Sequence, residues 1–307
     1  MIKKILRELP SADGVHTLKG IAYIPEKPLG ILQISHGMAE HIERYDAFMH
    51  FIAGNGFIAC GHDHLGHGKT AQNDDELGFF AEKDGYKLVC DDVYAFGRIM
   101  KQAFPKLPLI LLGHSMGSFI ARNTARTYPD ACDALIIMGT GGPNPASSAG
   151  LALTSAIRAL RGPKHVSKLA YAAAFSTYNK RTNSKNPFAW LSRDENELKK
   201  HDADKYCMFS FTVSAMHDLI RLQALANSRD WFENIRKNLP ILLISGAEDP
   251  VGAYGKGVET VYEKLLDEGV TDVTRKIYPD MRHEILNEFN RENVYSDILS
   301  FLLLQLS

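Results

Sequence analysis

The sequence has no excess of charge of either sign. Its 307 residues include 35 lysines and arginines against 36 aspartates and glutamates, which gives a formal net charge of -1. Proteins that bind nucleic acids usually carry a clear basic excess. We therefore expect no nucleic-acid partner for this chain.

Long hydrophobic runs and clustered cysteines are also missing. Apolar stretches such as residues 110–112, 135–138 and 241–244 are far shorter than the ~20 residues that a membrane-spanning helix needs. The first ten residues contain basic side chains but no apolar core of signal-peptide length. The four cysteines lie far apart and form no CxxC pair, which is typical of reduced thiols. The sequence therefore predicts a cytoplasmic protein.

What the sequence does contain is a regular alternation of short apolar runs and helical stretches. The runs are residues 31–35, 57–60, 109–112, 134–138, 241–245 and 273–278. Continuous apolar runs are typical of strands that are buried on both faces. Strand–helix alternation indicates a mostly parallel central sheet flanked by helices, and an amino-terminal hairpin with its turn at residues 11–14 precedes it. We predict the α/β fold class.

The alternation stops between Asn144 and Leu239. Pro143 and Pro145 open this segment, Pro240 closes it, and its apolar residues show helical spacing. We predict an inserted helical cap at residues 144–239. The flanking parts of the α/β core are then residues 1–143 and 240–307.

One apolar run leads directly into a G-x-S-x-G turn. Residues 109–112 are followed by Gly-His-Ser-Met-Gly at 113–117 and then by a helical stretch. Such a strand-to-helix turn exposes the serine hydroxyl and aims the helix amino terminus at a developing oxyanion. Ser115 is therefore the predicted nucleophile, and an idle serine in a glycine-rich turn is the alternative.

A serine nucleophile needs a base, and the base needs an acid that orients it. His283 lies in the loop after residues 273–278, where a parallel sheet gathers catalytic groups. Asp249 follows the preceding strand, and Pro250 restrains its backbone. We predict Asp249 as the acid, with Glu248 as its rival.

Four segments together resemble the monoglyceride lipases and lysophospholipases of the α/β-hydrolase superfamily, in the branch also called serine-aminopeptidase-like. In order along the chain they are HGMAEH at residues 36–41 with Arg44 and Tyr45, DHLGHG at 63–68, GHSMG at 113–117, and GAEDPV at 246–251 with His283. The resemblance implies an α/β-hydrolase fold and a Ser115–His283–Asp249 triad. It also implies an oxyanion hole from the backbone N–H groups of Met38 and Met116.

The chain departs from the family pattern at two small residues. Ala39 stands where the family's first motif has its second glycine, and Ser118 replaces the glycine that usually follows the elbow. We expect these changes to reshape the pocket slightly and to leave the chemistry intact.

A cluster of His62, Asp63, His64 and His67 suggests zinc, which accepts imidazole and carboxylate ligands. The preferred interpretation is a polar turn in which Asp63 and His67 hydrogen-bond neighbouring loops. We predict no metal and no cofactor.

The predicted cap is basic and apolar. Its cations between residues 151 and 185 are Arg158, Arg161, Lys164, Lys168, Lys180, Arg181 and Lys185, and this stretch contains no acidic residue. An amphipathic lid packed on the core is the favoured interpretation, and transient contact with an anionic membrane surface is the alternative. Candidates for an acyl-binding wall are Phe188, Trp190, Met208, Phe209, Phe211 and Met216.

The predicted function is hydrolysis of a monoacyl lipid ester, or of another small ester, through an acyl-enzyme. An aminopeptidase or amidase with the same triad is an alternative, since cap acids could bind a substrate ammonium group. Those acids are Asp194, Glu195, Glu197, Asp202, Asp204 and Asp218. A non-catalytic binding protein on this fold is a further alternative.

Overall fold

A computed structural model describes residues 1–306. In this part of the chain eight strands form one sheet. The strands are β1 (Ile2–Pro10), β2 (Thr17–Pro25), β3 (Gly30–Ser35), β4 (Phe57–His62), β5 (Leu109–His114), β6 (Ala134–Met138), β7 (Ile241–Gly246) and β8 (Val273–Tyr278). Their order is β1-β2-β4-β3-β5-β6-β7-β8. The hairpin β1–β2 is antiparallel, β2 pairs antiparallel with β4, and the remaining neighbours are parallel. The predicted α/β-hydrolase fold with a mostly parallel sheet is confirmed.

The central strands β3 to β7 are buried along their whole length, as their continuous apolar runs predict. The last strand differs from that expectation. Thr274, Arg275 and Lys276 are exposed because β8 lies at the sheet edge. Arg275 and Lys276 form ion pairs with Glu259 and Asp297 on the neighbouring helices.

Helices cover both faces of the sheet. One face packs against α1 (Asp46–Gly54) and α10 (Arg291–Leu304). The other face packs against α2 (Gly85–Ala103), α3 (Met116–Thr127) and α9 (Lys256–Asp267). Alternate residues of each central strand enter the two apolar clusters, so that Leu111 joins one cluster and Leu112 the other.

Five α-helices connect β6 to β7 in the described part of the chain. They are α4 (Ser147–Arg161), α5 (Lys168–Phe175), α6 (Glu195–Ala203), α7 (Val213–Ala226) and α8 (Arg229–Asn234). The last two pack on the core: Trp231 of α8 is fully buried, stacks on the Arg122 guanidinium of α3 at 4.4 Å, and donates its indole N–H to the Arg122 carbonyl at 2.7 Å. Helices α7 and α8 thus contribute to the core. The cap boundaries at residues 144–239 remain a prediction.

Among residues 1–306, no helix combines the length and the apolar character that crossing a membrane requires. All four cysteines are buried free thiols.

Candidate active site

Ser115 lies on a strained turn between β5 and α3. Its backbone has φ +54° and ψ -120°, a combination that a non-glycine residue rarely adopts. The turn needs glycine on both sides, because a Cβ on Gly113 would overlap the Gly117 backbone and a Cβ on Gly117 would overlap the Ser35 carbonyl. The structure therefore holds Ser115 in the geometry of a nucleophile elbow.

Ser118 supports this turn. Its hydroxyl donates a hydrogen bond to the Ser115 carbonyl oxygen at 2.6 Å, and its backbone N–H donates to the same oxygen at 2.9 Å. The serine that replaces the family's usual glycine thus adds a side-chain bond to the elbow.

Asp249 and His283 are buried side by side at the ends of β7 and β8. His283 Nδ1 lies 2.9 Å from Asp249 Oδ1. The Val251 N–H donates to Oδ1 at 2.8 Å and the Ser245 hydroxyl donates to Oδ2 at 3.1 Å. Burial by itself would raise the pKa of Asp249, but the interaction with His283 and these hydrogen bonds outweigh it and hold the pKa below its usual value.

Glu248, the rival acid, lies elsewhere. Its side chain is 52% exposed, and one carboxylate oxygen lies 3.8 Å from Arg282 Nε. Of the two acids that follow β7, Asp249 is therefore the one beside His283.

A cavity of about 920 Å³ lies beside Ser115, His283 and the predicted oxyanion donors. Ser115, His283, Met38 and Met116 all line it. Within residues 1–306, the N–H groups of Met38 and Met116 donate to no other group, so both are free to bind an oxyanion. The Ser115 hydroxyl and His283 make no hydrogen bond to each other; such catalytic bonds often tighten only in the complex with substrate.

The loop that carries Met38 contains the second departure from the family pattern. Ala39 has φ +51°, in the left-handed region that favours glycine. Its N–H donates to His67 Nε2 at 3.2 Å. The backbone thus takes the conformation that explains the family's glycine, although a methyl group is present here.

Glu40 anchors the same loop to His114, the residue before Ser115. Its Oε1 accepts hydrogen bonds from the Tyr45 hydroxyl at 2.9 Å and from His114 Nδ1 at 3.0 Å, and it also accepts from the Gly37 N–H. Burial by itself would raise the pKa of Glu40 and lower the pKa of His114. The hydrogen bond from His114 and the charges of His114 and Arg44 nonetheless lower the pKa of Glu40 to about 2, and donating that bond to Glu40 raises the pKa of His114.

Arg44 extends this network to Glu284, the residue after His283. It contacts Glu40 at 3.1 Å and Glu284 at 2.7 Å. No role for these charged residues was predicted from the sequence. Two signals could have found them: the spacing of four residues between Glu40 and Arg44, and the position of Glu284 next to His283.

The histidines after β4 hydrogen-bond strand β3 and their own turn. His64 Nε2 lies 3.0 Å from the Ser35 hydroxyl, and His67 Nδ1 lies 2.9 Å from the Leu65 carbonyl. Asp63 accepts the Ile42 N–H at 2.8 Å and the Lys69 N–H at 2.7 Å. These contacts are those expected of a polar turn.

Among the described residues, one other group of three side chains has atoms of the kind that bind a metal ion, close enough to share one. Atoms of His41, Asp204 and Cys207 lie within 4.8 Å of one another. His41 Nε2 is already bonded to Asp204 at 2.8 Å, and burial raises the pKa of the Cys207 thiol well above its usual value. A protonated thiol is a poor zinc ligand, because metals bind the thiolate.

Five of the six predicted acyl-wall residues line the cavity: Phe188, Trp190, Met208, Phe209 and Met216. The sixth, Phe211, lies instead in the buried core against Phe80 and His67. None of the six cap acids proposed for an ammonium site is among the described residues that line the cavity.

Comparisons with known proteins agree with this geometry. Residues 26–290 match the family described as "Serine aminopeptidase, S33". The monoglyceride lipase of Mus musculus is 25% identical over 93% of this chain and 89% of its own, and the monoacylglycerol lipase of Mycolicibacterium smegmatis is 25% identical over 90% and 88%. A thermostable carboxyl esterase from Bacillus coagulans superposes over 100% of both chains, with a TM-score of 0.94 and 30% identity.

Proposed function

Because the chain belongs to the serine aminopeptidase S33 family of α/β-hydrolases, we propose that it hydrolyses the ester bond of monoacylglycerols or of similar monoacyl esters. Its relatives from mouse and Mycolicibacterium smegmatis are named as lipases of this class, and the protein is a carboxylic ester hydrolase. Ser115, His283 and Asp249 are proposed as the catalytic triad.

The first half of the reaction forms an acyl-enzyme. His283 removes the proton of the Ser115 hydroxyl as its oxygen attacks the ester carbonyl, and Asp249 stabilises the imidazolium that results. The N–H groups of Met38 and Met116 bind the tetrahedral oxyanion. A donor of this kind is worth about 10²–10³-fold in rate. His283 then passes its proton to the leaving alcohol.

The second half hydrolyses the acyl-enzyme. Water enters where the alcohol has left, His283 takes its proton, and the hydroxide attacks the acyl carbonyl. The same two N–H groups bind the second oxyanion. Collapse of this intermediate returns the proton to Ser115 Oγ and releases the fatty acid.

The observation that carries the proposal is that the strained Ser115 and His283 line one mostly apolar cavity, while Nδ1 of His283 lies 2.9 Å from the buried Asp249 carboxylate. Three strand ends supply these residues, as open α/β sheets do for their ligand sites. An apolar cavity suits an acyl chain, since each buried methylene contributes about 0.8 kcal/mol.

An aminopeptidase is less well supported, because an α-ammonium group needs a free carboxylate. In the described part of the chain, the carboxylates that line the cavity are Glu40 and Glu284. Glu40 is bonded to His114 and Glu284 to Arg44. Neither is available to a substrate ammonium group without breaking a buried ion pair.

The cap at residues 144–239, a cytoplasmic location and transient contact with a membrane surface belong to the same proposal. Leu160 is 82% exposed and Leu169 is 63% exposed, next to Arg161 and Lys168. Apolar side chains beside cations favour an anionic lipid surface. Arg181 is less available, because it stacks on the Tyr254 ring at 3.6 Å.

Ser115→Ala tests the nucleophile. We expect the variant to lose ester turnover and labelling by a fluorophosphonate probe while its circular dichroism and melting temperature stay close to wild type. Retention of more than a few per cent of wild-type turnover in a clean preparation would contradict the assignment. Absence of labelling and turnover in the wild-type protein would instead favour a non-catalytic binding protein.

A further inference from the structure

A segment of the predicted cap lies directly across the loop that carries His283. We call residues 188–193 the strap. The N–H of His283 donates to the Trp190 carbonyl at 3.4 Å, and the N–H of Glu284 donates to the Leu191 carbonyl at 2.7 Å. The Arg282 guanidinium donates to the carbonyls of Ala189, at 2.7 Å, and Ser192, at 3.1 Å. The backbone of the strap therefore follows the histidine loop residue by residue.

The far end of the strap is fixed as well. The Ser192 hydroxyl donates to the Asn287 carbonyl at 2.8 Å, and the Arg193 N–H donates to Glu288 Oε1 at 3.0 Å. Glu288 is almost fully buried and also accepts the Arg282 N–H at 3.0 Å. These bonds prevent the strap from sliding along the histidine loop.

The Trp190 side chain packs on the imidazole of His283. The two ring centroids are 5.1 Å apart, with 39° between the ring planes. The His114 ring also packs on His283, at 4.8 Å and 40°. Tyr178 meets Trp190 edge-on at 5.0 Å, which holds the indole in place. The contact of Nδ1 with Asp249 would by itself leave the tilt of the imidazole free. The two aromatic rings restrict this tilt.

We infer that Trp190 is a positioning residue for His283: its indole keeps the imidazole facing Ser115 and limits the access of water to the ring. The inference rests on the proposed role of His283 as base. It adds that the cap, besides forming an acyl wall, orients the base of the reaction. Preorganisation of this kind acts on the chemical step, and therefore on kcat, for every acyl length.

The experiment compares variants of the full chain on p-nitrophenyl acetate, whose acyl group is too short to need the acyl wall. We expect Trp190→Ala to lower kcat by about 2- to 12-fold, the range that corresponds to one aromatic pair, with KM within about twofold of wild type. Trp190→Phe keeps a ring on His283, so it should restore most of kcat.

Leu198→Ala is the matched structural control. Leu198 is buried in the same apolar cluster as Trp190, but it is not among the described residues that line the cavity. We expect kcat of this variant within about twofold of wild type, even if its melting temperature falls. Circular dichroism and melting curves of all variants separate lost folding from lost positioning.

Three results would overturn the inference: wild-type kcat in Trp190→Ala, an equal loss of kcat in Leu198→Ala, or failure of Trp190→Phe to restore kcat. The first includes a rise in KM alone, because Trp190 would then act only as a wall. Ser115→Ala and His283→Ala are measured in parallel. Turnover in either of these would refute the proposed function, whatever Trp190→Ala does.

Discussion

Arg44 and Glu284 form a bidentate ion pair that joins two loops 240 residues apart in the sequence. Arg44 Nη1 lies 2.7 Å from Glu284 Oε1, and Nη2 lies 2.8 Å from Oε2. Both side chains are almost completely buried. Since Arg44 also contacts Glu40, the pair connects the loop of the proposed oxyanion donor Met38 to the loop of His283.

Glu284→Gln should destabilise the protein strongly. The substitution leaves the buried Arg44 without its main counter-charge, and breaking such a pair costs about 3–5 kcal/mol in free energy of unfolding. Urea unfolding at pH 7 measures the loss. The exposed pair Arg98–Asp130, at 3.1 Å, is the control, and Arg98→Gln should cost less than about 1 kcal/mol. Equal losses of unfolding free energy in the two variants would show that the buried pair stabilises the protein no more than the exposed pair does.

Asp249→Asn should lower kcat by roughly 10⁴-fold, the scale known for this replacement in Ser-His-Asp hydrolases. An amide cannot stabilise the imidazolium of His283, and it favours the wrong tautomer of the ring. Glu248→Gln should leave kcat within about twofold, because Glu248 is half exposed and does not contact His283. Initial rates on a p-nitrophenyl ester decide the matter. The reverse order of effects would identify Glu248 as the acid.

The fold and the triad candidates could be predicted from the sequence because their signals are local. Buried parallel strands read as continuous apolar runs, and G-x-S-x-G marks a strand-to-helix turn within five residues. Asp249 and His283 each follow a recognisable strand, so the topology of a parallel sheet brings them to the edge where Ser115 lies.

The remaining features depend on contacts that no local pattern encodes. The packing of Trp190 on His283 joins residues 93 positions apart. Nothing in the sequence around Trp190 distinguishes a residue of the acyl wall from a residue that positions His283. The exposure of β8 follows from its place at the sheet edge. The packing of α7 and α8 on the core depends on Arg122 and Trp231, which meet only after the chain has folded.

His62→Phe should stabilise the protein and weaken its acid sensitivity. His62 is fully buried against Phe96, and neither ring nitrogen has a hydrogen-bond partner among residues 1–306. Burial lowers the pKa of His62 to about 3. As the pH falls below 6.5, the unfolded chain therefore takes up a proton on His62 that the folded chain does not bind. This uptake stabilises the unfolded chain and lowers the free energy of unfolding.

Removal of this group should reduce the loss of unfolding free energy between pH 8 and pH 5.5 by about 1.4 kcal/mol. Relief of the unpaired nitrogens should add about 1–3 kcal/mol at pH 8. Urea unfolding at the two pH values tests both effects, with His50→Gln at the exposed His50 as the control. An unchanged pH dependence in His62→Phe would show that this histidine does not contribute to acid sensitivity.

The final prediction concerns substrate size. The cavity of about 920 Å³ is lined largely by apolar side chains from the β6–β7 connection, including Leu153, Phe175 and Phe209. One acyl chain can be buried there, and each methylene that enters contributes about 0.8 kcal/mol, or roughly a fourfold gain in affinity. Three long acyl chains bound at once would need more volume than this cavity beside Ser115 provides.

We therefore expect kcat/KM for p-nitrophenyl esters to rise by up to about fourfold per methylene until the chain reaches the end of the cavity, and then to stop rising. Monoacylglycerols should be cleaved much faster than triacylglycerols of the same fatty acid. Fatty-acid release from matched monoacyl and triacyl substrates in detergent micelles measures the ratio, and Ser115→Ala supplies the blank. A preference for triacylglycerols would show that the volume of the cavity does not limit the substrate to one acyl chain. Faster cleavage of aminoacyl anilides than of any ester would refute the lipase-like assignment, and the triad would survive either result.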